Sequence, residues 1–242
     1  METININHLR KEYKDIVAVD DLCLTIHEGE IFALLGVNGA GKTTTIKLLS
    51  CLTKPTSGDA FIYGHSIIEH PYDVKKMIDI SMQETAIARN LTVKENLEFY
   101  TKIRCLPKTL AQERIDEIIS HFDFTKVLSK RAKTLSGGWQ RKLSIALAIL
   151  SKPKVLFLDE PTLGLDVIAR RELWKLIESL KQTMTIILTT HYMEEAEHLS
   201  SRIGIMKDGK LVAINTVEEM IQKTSSKTFE DAFISIIEKE GY

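Results

Sequence analysis

Cysteine is scarce in this 242-residue chain: Cys23, Cys51 and Cys105 are the three present. They are odd in number, far apart and in no C-x-x-C arrangement. That suits a reducing compartment and argues against a disulfide framework or a zinc site. Long apolar runs are lacking too. Stretches such as Ile145 to Leu150 fall far short of the ~20 residues that cross a bilayer, so no direct membrane insertion is expected. Met1-Glu2-Thr3-Ile4-Asn5 has no charged region followed by an apolar stretch, so no signal peptide is read there. Net charge is −1, which gives no global electrostatic case for nucleic acid. Basic clusters such as Lys130-Arg131-Ala132-Lys133 are short and read as solvated helix ends or loops. No internal repeat, low-complexity tract or proline-rich linker interrupts the chain.

What is present is an ordinary globular balance, 44% hydrophobic and 27% charged, with enough apolar mass for a core. Leu22, Leu24 and Ile26 alternate with Cys23 and Thr25, which predicts a half-buried strand. After a turn at 27–30, Ile31 to Leu35 is continuously apolar, as is a strand buried on both faces of a parallel sheet. A helix is predicted from Thr43 to Leu52, a turn at 55–59, and a short strand from Ala60 to Tyr63. From about Thr92 to Lys130 the chain turns helical. Thr92 to Glu95 is a capping box, Pro107 is read as ending the first helix, and Thr109 to Phe122 carries a second. The α/β pattern then resumes, with buried strands at 155–158 and 185–188 and helices at 136–150 and 167–182. A shorter helix starts near Met193. A hairpin over Lys207-Asp208-Gly209 follows, and a second capping box at Thr216 to Glu219 opens a C-terminal helix.

The fold class expected is α/β: a nucleotide-binding core of mixed sheet and flanking helices. To it are added an N-terminal antiparallel β part and a helical insertion at about 84–134. A C-terminal helical extension runs over about 216–242.

Three stretches carry chemistry. Gly36-Val37-Asn38-Gly39-Ala40-Gly41-Lys42-Thr43 meets the phosphate-loop pattern G-x-x-x-x-G-K-[ST], and it lies between a buried strand and a helix, as the mechanism requires. Glycines let backbone N–H groups converge on phosphates, and the helix N-terminus adds positive potential. The cradle expected is Gly36, Asn38, Gly39, Ala40, Gly41, Lys42, Thr43 and Thr44, with Lys42 reaching the β- and γ-phosphates of ATP and Thr43 ligating Mg2+. In Val155-Leu156-Phe157-Leu158-Asp159-Glu160 a buried strand ends on two carboxylates. Asp159 suits the Mg2+ shell. Glu160 is placed to polarise an attacking water. Leu135-Ser136-Gly137-Gly138-Trp139 opens a helix with bare N–H groups, a second anion-binding cradle. One ATP needs one such cradle from a chain. A second makes sense where two chains pair head to tail.

Here the sequence resembles the ATP-binding cassette (ABC) family over nearly its whole length. Leu135-Ser136-Gly137-Gly138 is similar to the family signature, with Trp139 where Gln is usual. The resemblance implies that Ser136 and Gly138 reach the partner chain's γ-phosphate. It implies that Tyr13 stacks on adenine, that Gln83 touches Mg2+ and water and links to a transmembrane partner, and that His191 contacts the γ-phosphate. Asp166, in Leu163-Gly164-Leu165-Asp166, falls near the dimer seam. His65, His70 and His121 lack such context and are expected to face solvent.

The resemblance further implies an ATPase subunit beside a separate transmembrane permease, paired with a second copy of itself, peripheral on the cytoplasmic face of the membrane. Resemblances around the phosphate loop, after His191 and at Thr228 to Phe233 favour an exporter of the drug-export type. The competing class is a non-transport ABC ATPase acting on ribosome or DNA, but only one phosphate loop exists and no sustained heptads do. An unrelated phosphate-loop kinase or GTPase leaves Leu135 to Gly138 and His191 unexplained.

Overall fold

The computed structural model describes residues 2–239. The elements run β1 (Glu2–Tyr13), β2 (Ile16–His27), β3 (Ile31–Leu35), α1 (Lys42–Leu49), β4 (Ser57–Ile62), β5 (His65–Ser66), α2 (Pro71–Met77) and β6 (Ile78–Ser81). Next come α3 (Val93–Ile103), α4 (Lys108–His121), α5 (Gly137–Ile149), β7 (Val155–Asp159), α6 (Val167–Leu180) and β8 (Thr185–Thr190). The chain closes with α7 (Met193–Leu199), β9 (Arg202–Lys207), β10 (Lys210–Asn215), α8 (Val217–Thr224) and α9 (Phe229–Lys239). Residues 240–242, the end of the expected C-terminal extension, and Met1 lie outside the described residues.

Two sheets form. One is antiparallel, in the order β2-β1-β4-β5; the other is mixed, in the order β10-β9-β3-β8-β7-β6. In the mixed sheet β9, β3, β8, β7 and β6 are mutually parallel, and β10 is antiparallel to β9. This is the α/β architecture with an antiparallel β part that the sequence implies.

The continuously apolar strands are buried on both faces because each side chain alternates between two cores. Ile31, Ala33, Leu35, Leu156, Leu158, Ile186 and Leu188 join the core under α5 and α6. Phe32, Leu34, Val155, Phe157 and Ile187 join the core shared with Ile4, Ile6, Leu24 and Ile26 of the antiparallel sheet. The phosphate loop and the end of β7 therefore leave a rigid, doubly packed sheet at its carboxyl edge, where ligands sit in such folds.

Both capping boxes form, Thr92 with Glu95 and Thr216 with Glu219. The β9–β10 hairpin turns through Asp208 and Gly209, both with positive φ. Pro107 plays a different part from the one expected. The helix α3 already stops at Ile103, the chain reverses through Cys105 at φ 52°, and Pro107 serves as the N-cap of α4. Proline suits a helix start, where no N–H is needed. His65 is half-buried with its ring edge-on to His70, whereas His70 and His121 are exposed as expected. Arg104, just past α3, pairs with buried Asp79 on β6 and ties the helical stretch to the sheet.

Candidate active site

Gly36 follows β3 with no room for a side chain, since a Cβ there would overlap the Met206 carbonyl oxygen. Gly41 holds φ +101° and passes the Ala18 carbonyl just as closely. Between them the loop turns, and α1 begins at Lys42. A cavity of about 420 Å³ lies over this turn. Its walls include Asn38, Gly39, Ala40, Gly41, Lys42, Thr43 and Thr44. Gln83, Glu160 and His191 arrive from three other segments, and Ile16 to Ala18 of β2 close one side.

Lys42 is almost fully buried, and its ammonium donates to the carbonyls of Gly36 (2.7 Å) and Val37 (3.1 Å). Burial pushes its pKa down, and the carboxylate of Glu160, 3.6 Å away, opposes that. Glu160 follows β7 with φ 49°, a left-handed conformation uncommon outside glycine. Its N–H bonds Thr189, and its other carboxylate oxygen lies 2.8 Å from His191 Nδ1.

Asp159 is wholly buried. Its Oδ1 accepts from Thr43 Oγ1 (3.0 Å) and Thr189 Oγ1 (2.6 Å). Its Oδ2 is buried with no hydrogen-bond partner among the described residues. A buried carboxylate oxygen left over beside a threonine hydroxyl fits a hard divalent cation, which takes oxygen ligands.

Two residues that hold the site together, Arg141 and Thr189, are not singled out by the sequence. Arg141 on α5 is buried, and its guanidinium donates to the carbonyls of Met82 (2.7 Å), Gln83 (2.8 Å) and Glu160 (3.4 Å). Burial lowers its pKa, and the nearby carboxylates of Asp159, Glu195 and Glu160 offset this. Arg141 thus fixes the backbone on both sides of the cavity at once. Thr189 bridges Asp159 and Glu160.

Other expected residues lie elsewhere. Ser136, Gly137 and Gly138 are not part of the cavity wall. They sit at the start of α5, where Ser136 caps the helix and Gly138 packs against Ala169 so closely that a Cβ would stand 3.0 Å from it. Asp166 caps α6, accepting from the N–H groups of Ile168 and Ala169 at 2.9 Å. Ser136, Gly137 and Asp166 are exposed. Tyr13 does not line the cavity either; it ends β1, paired across the turn with Ile16, and its exposed ring is covered by the Lys11 ammonium at 4.8 Å.

Fold and loop together define a phosphate-loop nucleotide-binding protein. A family model described as ABC transporter matches residues 19–163. The doxorubicin resistance ATP-binding protein DrrA of Mycobacterium tuberculosis is 36% identical over 238 residues, covering 97% of this chain and 70% of that protein. The phospholipid-transporting ATPase ABCA3 of Homo sapiens is 43% identical over 212 residues, covering 86% of this chain. The aligned part is 12% of the length of that relative. Among solved structures, an ATP-binding subunit of an ABC transporter superposes with a TM-score of 0.85 at 25% identity, covering 97% of this chain and 99% of that one. A dimeric ATP-binding cassette in a post-hydrolysis state bound to ADP and Pi gives 0.78 at 25% identity, covering 88% and 98%. The chain belongs to the ABC transporter family and is an ATP-binding cassette. ATP hydrolysis is its chemistry.

Proposed function

We propose that this chain is the nucleotide-hydrolysing subunit of a membrane exporter, acting as a head-to-tail pair of identical chains on a separate transmembrane permease. The observation that carries this reading is the division of the expected site. Lys42, Glu160 and His191 converge at one cavity, with Asp159 buried behind Thr43, while Ser136 and Gly137 lie exposed elsewhere, at the start of α5. Val167 and Ile168, 60% and 73% exposed beside Asp166, add apolar area to that surface. A second copy would cover it and complete each site.

In this reading Lys42 and the loop N–H groups bind the phosphates, and Thr43, Asp159 and Gln83 hold Mg2+, which supplies charge neutralisation at the phosphates. Ser136 and Gly138 serve the partner's ATP. Glu160 takes the proton of the attacking water, held in position by His191. The segment 84–134 acts as a helical subdomain that moves with Gln83, and 216–242 is a C-terminal extension. Exposed Phe99 and Ile103 on α3 offer the permease an apolar contact. Among the described residues no helix is long and apolar enough to cross a membrane, so attachment would come through that permease on its cytoplasmic side. The drug-resistance and phospholipid-transporting names of the relatives support export.

Glu160→Gln tests the core of this reading. The variant should bind ATP, lose turnover and run as a dimer only with ATP present. Normal hydrolysis by Glu160→Gln, or a monomer under ATP, overturns it.

A further inference from the structure

We propose that His8, Asp21 and Cys23 form a binding site for Zn2+ on the antiparallel sheet. The three lie on β1 and β2, and one donor atom from each falls within 4.8 Å of the other two. Together they offer an imidazole nitrogen, a carboxylate oxygen and a thiol sulfur, the ligand types zinc takes.

The spacing fits a single ion. With Zn–S at about 2.3 Å and Zn–N at about 2.0 Å, tetrahedral geometry puts sulfur and nitrogen about 3.5 Å apart. Cys23 Sγ stands 3.6 Å from His8 Nδ1. Asp21 Oδ1 is nearer to the same nitrogen, at 2.7 Å, in a hydrogen bond. Rotation of the aspartate side chain opens that pair, and loss of the shared proton frees the nitrogen lone pair for the metal. The His8 backbone N–H donates to Cys23 Sγ at 3.3 Å, an outer contact that orients the sulfur.

The backbone builds the cluster. His8 has φ 49° and Asp21 φ 53°, both left-handed, and the pairing of β1 with β2 slips between Ile6 and Leu9. This bulge interrupts strand alternation and swings His8 to the side of Asp21 and Cys23. Gly58 of β4 locks it, because a Cβ there would overlap the His8 carbonyl oxygen. The side chains of His8 and Asp21 are 77% and 69% exposed, so an ion has free entry and keeps an open position for water. The thiolate and imidazole favour Zn2+ over Mg2+, which demands oxygen ligands. Residues 8, 21 and 23 show no metal-binding spacing in sequence; the hairpin and its bulge assemble the site.

The test uses the tag-free full chain without nucleotide, titrated with Co2+ and then with Zn2+, and with Mg2+ in parallel. One Co2+ per chain should bind with a sulfur-to-cobalt charge-transfer absorption, Zn2+ should displace it, and Mg2+ should not. Cys23→Ser should abolish that absorption while Cys105→Ser, at an exposed cysteine elsewhere, keeps it. His8→Asn and Asp21→Asn, which tolerate left-handed backbone, should weaken Zn2+ binding about tenfold or more. Urea midpoints check that each variant remains folded. Absence of the absorption in the unaltered chain, its survival in Cys23→Ser, or unchanged Zn2+ affinity in both Asn variants overturns the proposal.

Discussion

His191 Nδ1 lies 2.8 Å from one carboxylate oxygen of Glu160, and the other oxygen of that carboxylate is 3.6 Å from Lys42 Nζ. Glu160 is therefore gripped from both sides, by the residue after β8 and by the phosphate loop. His191→Ala removes one grip and leaves the cradle alone. Turnover should fall on the order of a hundredfold, with ATP affinity little changed. Single-turnover hydrolysis and nucleotide titration separate the two; unaltered turnover would show that Glu160 does not act through His191.

Arg141 should behave as a positioning residue. Its fork of donors serves Met82, Gln83 and Glu160 carbonyls together, and a lysine has no such planar geometry. Arg141→Lys leaves buried carbonyls short of donors, at a cost of about 1–3 kcal/mol. The thermal midpoint should drop. kcat should fall further than ATP affinity, because the backbone of Gln83 and Glu160 loses its common anchor. A drop in stability with kcat intact would reduce Arg141 to a packing role.

Two glycines of the phosphate loop should differ sharply. Both have positive φ, +86° at Gly39 and +101° at Gly41. A Cβ at Gly39 meets nothing within 4 Å, so Gly39→Ala bears only the left-handed cost of about 1–2 kcal/mol. A Cβ at Gly41 overlaps the Ala18 carbonyl, so Gly41→Ala must also push β2 off the loop. ATP binding should be lost in the second variant and only weakened in the first. Equal losses would mean that the close approach of Ala18 is unimportant.

How legible these features are depends on whether a residue's signal is local. The β3, β7 and β8 strands are plain in the sequence because burial on both faces leaves unbroken apolar runs. The phosphate loop and both capping boxes are complete within a few neighbouring residues. The β1 strand is harder to read: its bulge resets the alternation, so Ile4, Ile6 and Leu9 do not keep one period. The α2 helix has seven residues, too few for helical periodicity to emerge. Nothing near Arg141 in the sequence reveals the carbonyls of Met82 and Glu160 that it meets across the fold. Pro107 misleads because proline stops one helix and starts another equally well, and only the reversal at Cys105 decides.

Trp139 replaces the glutamine usual in the signature, and its surroundings explain what it does here. Its ring lies 6.0 Å from that of Phe124 and carries the Lys142 ammonium at 4.8 Å. The side chain thus packs α5 onto the segment after α4. Trp139→Gln should destabilise the chain by about 1–2 kcal/mol through lost aromatic contact. ATP affinity of the isolated chain should not move, since Trp139 is not part of the cavity wall. Denaturant unfolding and nucleotide titration check both halves.

Glu195, on α7 in the segment that follows His191, is wholly buried. One of its oxygens accepts from Trp174 Nε1 at 3.2 Å, and the other has no hydrogen-bond partner among the described residues. Burial pushes its carboxyl above the ordinary 4.5. With the folded pKa raised, the folded chain holds its proton more tightly than the unfolded chain does. The resulting stabilisation is full below about 4.5 and is lost as pH rises towards the raised folded value. Glu195→Gln keeps the acceptor for Trp174 and the volume but cannot ionise. The variant should therefore gain thermal stability relative to the parent as pH rises from about 5 to about 8, by roughly 2–4 °C per kcal/mol. At the acid end the two should nearly coincide. A gap that stays constant with pH, or narrows as pH rises, would show that Glu195 is not the group whose ionisation strains this part of the fold.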